Sequence, residues 1–169
     1  MKTDKILVPL DGSEMAEAAV DEALQLARPD SMLVLLRAAE ARTLPGADVI
    51  AAQIAAVGEA ETYMAALKGT LEKRGVRQVE THVWYGSAAA AILEAARVNK
   101  VDLIVMTTHG RSGLGRLIFG SVAESVLRGT TVPILLVRPT GAPVEHPAEQ
   151  GEARPVQNPE PTTGAEVTR

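Results

Sequence analysis

The apolar positions along this chain alternate between two spacings. Short apolar runs occur at Ile6-Leu7-Val8-Pro9-Leu10, Met32 to Leu36, Val101 to Met106 (unbroken from Leu103) and Ile134-Leu135-Leu136-Val137. Runs of this length read as strands. Val79 to Trp84 is a further strand, in which Val79, Thr81 and Val83 alternate with Glu80, His82 and Trp84. Between the runs the spacing turns helical. Ala16, Val20, Ala23, Leu24 and Ala27 share one helical face. Ile50, Ile54, Val57, Met64, Leu67 and Leu71 recur at helical spacing between Ala47 and Arg74. Gly58 weakens that second helix in its middle and Gly75 ends it. Ser87 is placed to cap a helix over 88–98, and Ser121 one that runs to Arg128.

Strands separated by helices predict βαβ crossovers and a parallel sheet. Runs that are apolar throughout predict strands covered on both faces, and the alternating third strand belongs near an edge. The expected fold is α/β, a three-layer, doubly wound sandwich around a five-stranded parallel sheet. Ligands in such folds lie beyond the carboxyl ends of the strands, where the strand order reverses. The segments after the first and fourth strands are therefore the ones to search.

Composition divides the chain. Residues 140–169 hold five of the ten prolines, five Glu and two Arg, and no aromatic, Ile, Leu or Met. Such a segment cannot bury enough apolar surface to offset the entropy of ordering, so it is predicted to be a disordered tail behind a single domain over 1–139. The absence of cysteine in 169 residues removes disulfides, thiol nucleophiles and thiolate metal sites. A net charge of −4 and only four aromatics argue against nucleic acid as a partner. No apolar run approaches the roughly 18 residues of a membrane span, and the opening run is too short for a signal peptide. A cytoplasmic protein without a membrane partner is expected.

Candidate chemistry lies in two loops. Thr107-Thr108-His109-Gly110-Arg111-Ser112-Gly113-Leu114-Gly115-Arg116, followed by Leu117-Ile118-Phe119-Gly120-Ser121, is rich in glycine and ends at a helix start. Glycines let backbone N–H groups approach an anion, and a helix N-terminus adds partial positive charge. Arg111 and Arg116 can meet phosphate. Glycine at 120 is expected to leave room for phosphate. A ligand-free explanation also exists, because Ser121-Val122-Ala123-Glu124 has the pattern of a capping box. Asp11, just past the first strand, fits either a contact to a sugar hydroxyl or phosphate-bound metal, or an N-cap with Glu14 three residues on. His109 fits a phosphate contact or a loop role. His82 is expected to be packed or solvated. No hydrolase triad, P-loop or protein-held metal cluster is evident.

These residues resemble a known family. Lys5-Ile6-Leu7-Val8-Pro9-Leu10-Asp11-Gly12-Ser13-Glu14 is similar to the opening of universal stress proteins. Val101 to Gly110 is similar to their fourth strand and loop, and Gly120 to Leu127 with Val132 to Val137 to their closing segment. The resemblance implies a parallel sheet in the order 3-2-1-4-5 and, in many members, binding of ATP or a related adenine nucleotide, here expected with Mg²⁺. Of the family's nucleotide motif, Gly110, the nine residues after it, and Gly120-Ser121 match. Its first Gly falls on Thr107, a departure. By the same match Pro9, Leu10 and Asp11 hold adenine and ribose. Ala38 and Met106 lie on the adenine side, and Thr108, His109, Gly110, Gly120, Ser121 and Val122 on the phosphate and ribose side. Thr107, Arg111, Gly113 and Arg116 complete the candidate set. Arg37 stands where many relatives carry His. The resemblance also implies a homodimer through Val132 to Arg138, an edge strand whose core, Ile134-Leu135-Leu136-Val137, has no charge and lies between Pro133 and Pro139. The expected function is nucleotide binding in a stress response, without a catalytic residue and with slow hydrolysis at most. The alternatives are a nucleotide-free dimeric interaction module and a nucleotide-dependent enzyme of related fold.

Overall fold

The computed structural model describes residues 3–41, 45–46, 48–108 and 120–138. The loop over 109–119 and the segment from 139 onward, which contains the tail, lie outside the described residues. The elements follow in the order β1 (Lys5–Leu10), α1 (Glu14–Leu26), β2 (Met32–Ala39), α2 (Val49–Lys73) and β3 (Val79–Tyr85). Then come α3 (Ala88–Asn99), β4 (Leu103–Thr107), α4 (Ser121–Gly129) and β5 (Ile134–Val137). All pairings are parallel and the strand order is β3-β2-β1-β4-β5. The expected α/β architecture is the observed one.

The strands build two cores by alternation. Ile6, Val8 and Leu10 of β1, with Leu33, Leu35, Leu103 and Val105, face Ala16, Ala19, Val20 and Ala23 of α1 and Met64 and Leu71 of α2. Leu7, Val34, Leu36, Ile104 and Met106 face Ala91, Ile92, Ala95 and Ala96 of α3 and Ala123 and Val126 of α4. Alanine on the buried helix faces brings the helices close to the sheet. Removing a fully buried strand side chain such as Leu7 or Leu35 leaves a cavity and costs about 2–5 kcal/mol.

Several boundaries differ from the sequence reading. β2 runs on to Ala39, because Arg37, Ala38 and Ala39 still pair with Val83, Trp84 and Tyr85. β4 starts at Leu103. The Asp102 carboxylate before it accepts from the Asp4 and Lys5 backbone N–H groups at 3.1 and 3.0 Å, tying the start of β1 to β4. α2 passes through Gly58 without a break, and Asp48 caps it by accepting from Ile50 and Ala51. Gly75 follows that helix at a φ of +89°, as its stop position requires. Ser87 occupies the N-cap of α3 but its side chain makes no capping hydrogen bond.

Candidate nucleotide pocket

The chain reverses direction across the sheet between β1 and β4, and two loops face each other there. Past β1, the Asp11 carboxylate accepts from the Ser13 amide at 3.0 Å and the Ser13 hydroxyl at 2.6 Å. The Ser13 hydroxyl oxygen in turn accepts from the Ala16 N–H at 3.2 Å and caps α1. The capping alternative for Asp11 is thus corrected: Ser13 is the cap and Asp11 holds it. Past β4, Thr108 donates its amide to Val137 at 3.0 Å, and its carbonyl accepts from the Gly120 amide at 2.7 Å. The chain therefore leaves at Thr108 and returns at Gly120 within one hydrogen bond.

That return explains Gly120 differently from the expectation. A Cβ at 120 would lie 2.9 Å from the Thr108 carbonyl oxygen. Glycine is required first because two backbones meet, and only then for any ligand. Gly120 is also the N-cap of α4, and Ser121 is its first helical residue. The capping-box reading fails as well, since Glu124 bonds Arg128 at 2.9 Å instead of reaching back to the cap. The first helical bond runs from Glu124 N–H to Gly120 C=O. The N–H groups of Ser121, Val122 and Ala123 have no carbonyl partner within the helix, as at any helix start.

A cavity of about 530 Å³ opens between these loops. It brings together Pro9, Leu10 and Asp11 from β1 and its turn, and Ala38 from β2. Met106 and Thr107 line it from β4, Thr108 from just past it, and Gly120, Ser121 and Val122 from the start of α4. His109, Gly110, Arg111, Gly113 and Arg116 lie outside the described residues. Alternation along β4 puts Thr107 on the face of Leu103 and Val105, toward α1, while Met106 faces the other core. The side chain that replaces the motif's first glycine is thus on the α1 side of the strand, and Thr107 still lines the cavity. His82 is elsewhere: on β3, its Nε2 is buried without a hydrogen bond, 3.6 Å from Glu80 Oε2.

The cavity also includes Leu36, Ala88, Ile92, Ala16 and Ala123, which the sequence reading did not single out. Leu36 could have been found, since it stands two residues before Ala38 on one strand face and pairs with Pro9. Ala88 and Ile92 carry no chemistry of their own and gain a place only through the packing of α3. The result is a cavity apolar at the base of the strands and polar at its rim. Leu36, Ala38, Ile92 and Met106 give flat apolar walls that suit a planar base. Asp11 is the one charged side chain among the described lining residues and suits a hydroxyl. The α4 start supplies N–H groups and partial positive charge for a phosphate. The residues present fit an adenine nucleotide in kind. Among the described residues no three His, Asp or Glu side chains gather to hold a metal ion, and no helix is long and apolar enough to cross a membrane.

Known proteins share this arrangement. The family model for the universal stress protein family matches residues 2–138. A Staphylococcus aureus protein named for the same family is 33% identical over 144 residues, covering 83% of this chain and 87% of its own. Among solved structures, protein MJ0577 superposes with a TM-score of 0.72 at 27% identity, over 83% of this chain and 99% of its own. A universal stress protein crystallised in complex with cAMP superposes with a TM-score of 0.60 at 25% identity, over 79% and 96%. The strand order, the paired loops at the switch point and the match over nearly all of the described sequence lead to one conclusion: the chain belongs to the universal stress protein family.

Proposed function

We propose that this chain binds an adenine nucleotide, ATP carrying Mg²⁺ on its phosphates, and acts in the cytoplasm by binding rather than by turnover. The observation that carries the reading is the cavity at the β1/β4 switch point, with apolar walls, one carboxylate and a helix start on its rim. The similarity to a family member crystallised with cAMP supports the adenine part. Leu36, Ala38 and Met106 would flank the base and Asp11 would accept from a ribose hydroxyl. Ser121 and Val122 would give backbone N–H groups to phosphate. Bound ATP would bring the charge that Arg111 and Arg116 are suited to meet. Phosphoryl transfer needs an activated nucleophile held in line, and no residue in these loops is read as its base.

Calorimetric titration with ATP, ADP, AMP and cAMP tests the reading. Saturable binding is expected, and Ala38→Leu, which fills the cavity wall, is expected to weaken it at least about tenfold, or ~1.4 kcal/mol. The absence of heat and of thermal shift with all four nucleotides at millimolar concentration would sink it. It would leave the interaction-module alternative, kept open by Thr107.

The same reading includes a homodimer through Val132 to Arg138. Along β5 the carbonyls of Pro133, just before the strand, and Val137 accept from Ile104 of β4 and from Thr108 just past it. Parallel alternation then turns the N–H groups of Ile134 and Leu136 outward. A two-fold partner that offers the same strand antiparallel would pair both rows.

A further inference from the structure

Behind the cavity, on the α1/α2 side of the sheet, four elements meet at one guanidinium. Arg37 lies on β2 beside Leu10, the last residue of β1. It shares the strand face of Leu33 and Leu35, opposite to the face of Ala38. Its guanidinium carbon sits 4.9 Å from the centre of the Tyr63 ring of α2, a cation–π distance. The Tyr63 hydroxyl donates to Glu17 of α1 at 2.8 Å. The same guanidinium occupies the space beside Gly12 that a side chain there would need. A Cβ at residue 12 would lie 3.1 Å from both its carbon and one of its nitrogens.

Gly12 joins Asp11 to Ser13 at a φ of +83°, in the left-handed region that favours glycine. A glycine in such a turn has the widest choice of alternative conformations of any residue. The turn nevertheless carries Asp11, the one charged side chain of the described cavity lining. The bonds from Ser13 to the Asp11 carboxylate close the turn on one side, and its backbone must also be held on the other if that carboxylate is to meet a hydroxyl at hydrogen-bond distance. Arg37 is packed where it can do so, and Tyr63 and Glu17 hold Arg37 in turn.

We infer that Arg37 is a positioning residue for ribose recognition: braced by Tyr63 and Glu17, it locks the Gly12 turn and so fixes Asp11 against the sugar hydroxyls. The inference rests on the nucleotide reading above. Arg37 lies on the far face of β2 from Ala38 and acts through the turn, not by touching the ligand.

The test compares ATP with 2′,3′-dideoxy-ATP, which lacks both hydroxyls, by calorimetry on the full chain. The wild type is expected to prefer ATP by about tenfold, the order of a hydrogen bond to a charged group. In Arg37→Met that preference falls to about twofold or less, while dideoxy-ATP affinity stays within about twofold of wild type. Tyr63→Leu, which removes the other half of the brace, reproduces the loss, and the double variant loses no more than either single one. Arg37→Lys keeps the charge without the planar group and is the fallback should the Met variant not fold. It too is expected to lose at least about threefold of the preference. Equal weakening of both ligands, or an unchanged preference, overturns the role of Arg37. A wild type that binds both nucleotides equally overturns it too, while leaving the nucleotide reading intact. A wild type that binds neither overturns the nucleotide reading and this inference with it.

Discussion

The two edges of the sheet are built on opposite principles. β3 carries Glu80 and His82 on one face, and α2 packs along the other. β5 carries four uncharged residues, all of them half-buried, and no described helix packs along it to a comparable extent. One edge is thus blunted by charge and covered by a helix, and the other is left apolar. An apolar edge strand is an aggregation hazard unless it is paired or covered. The contrast marks β5 as the edge the proposed dimer would use, and it separates β5's inward bonds, which hold the fold, from the outward ones that the proposal assigns to a second copy.

Proline substitution breaks that comparison most sharply. Leu135 donates inward to β4 by the alternation described above, and Leu136 donates outward. Leu135→Pro is expected to remove a ladder bond inside the fold and to cost about 3 kcal/mol or more, read as lost soluble protein or a collapsed melting transition. Leu136→Pro is expected to keep the fold but give a monomer in analytical ultracentrifugation, with ATP affinity within about twofold of wild type. A dimeric Leu136→Pro protein that melts like the wild type would show that β5 is not the seam.

The covered edge depends on how α2 is held. Tyr63 ties it to α1 through Glu17. Burial, the bond to Glu17 and the Glu17 charge push the Tyr63 phenol well above its ordinary value, against the opposing effect of Arg37. A folded-state pKa raised above the unfolded one means stability that is complete below about pH 10 and declines as pH rises past it, because the unfolded chain then loses the proton first. Tyr63→Phe is expected to cost about 1 kcal/mol near neutral pH and to flatten the decline of stability above pH 10. Chemical denaturation at pH 7.5 and 10.5 measures both. An undiminished slope in the variant would assign the alkaline loss to other groups.

Much of this architecture was legible in the residues, and the reasons it stopped are local. Ile134 to Val137 and Leu103 to Met106 read as buried strands because nothing polar interrupts them. The end of β2 did not, since Arg37-Ala38-Ala39 has no strand pattern and is extended only because β3 pairs with it. Ser121 as a cap, and Asp11 in its capping alternative, fail for a related reason. Each has the chemistry of a helix cap, but the backbone contact of Gly120 with Thr108 starts α4 one residue early, and Ser13 takes the cap of α1. Leu36, Ala88 and Ile92 enter the cavity by packing alone, which no spacing announces. The brace at Arg37 joins residues 12, 17, 37 and 63, whose proximity exists only once the sheet is assembled.

The smallest effect is expected at the guarded edge itself. Glu80 lies on β3 with its carboxylate half-exposed, 3.6 Å from the His82 imidazole. A contact of that length and exposure contributes little to stability, at most about 1 kcal/mol. Its loss in Glu80→Val is offset by the stronger strand preference of valine, so the stability is expected to stay within about 0.5 kcal/mol of wild type. The charge has a second role that a melting curve does not see. The N–H groups of Thr81 and Val83 point away from β2, because Gly86 donates inward to Ala39 and Gln78 accepts from Leu33. Among the described residues, α2 and the charge of Glu80 then discourage a further strand from adding there. Sedimentation of Glu80→Val over a hundredfold concentration range should show a weak rise in mass beyond that of the wild type, at the highest concentrations alone. If the two proteins sediment alike throughout, α2 by itself closes the β3 edge, and the contrast with β5 reduces to the presence or absence of a covering helix.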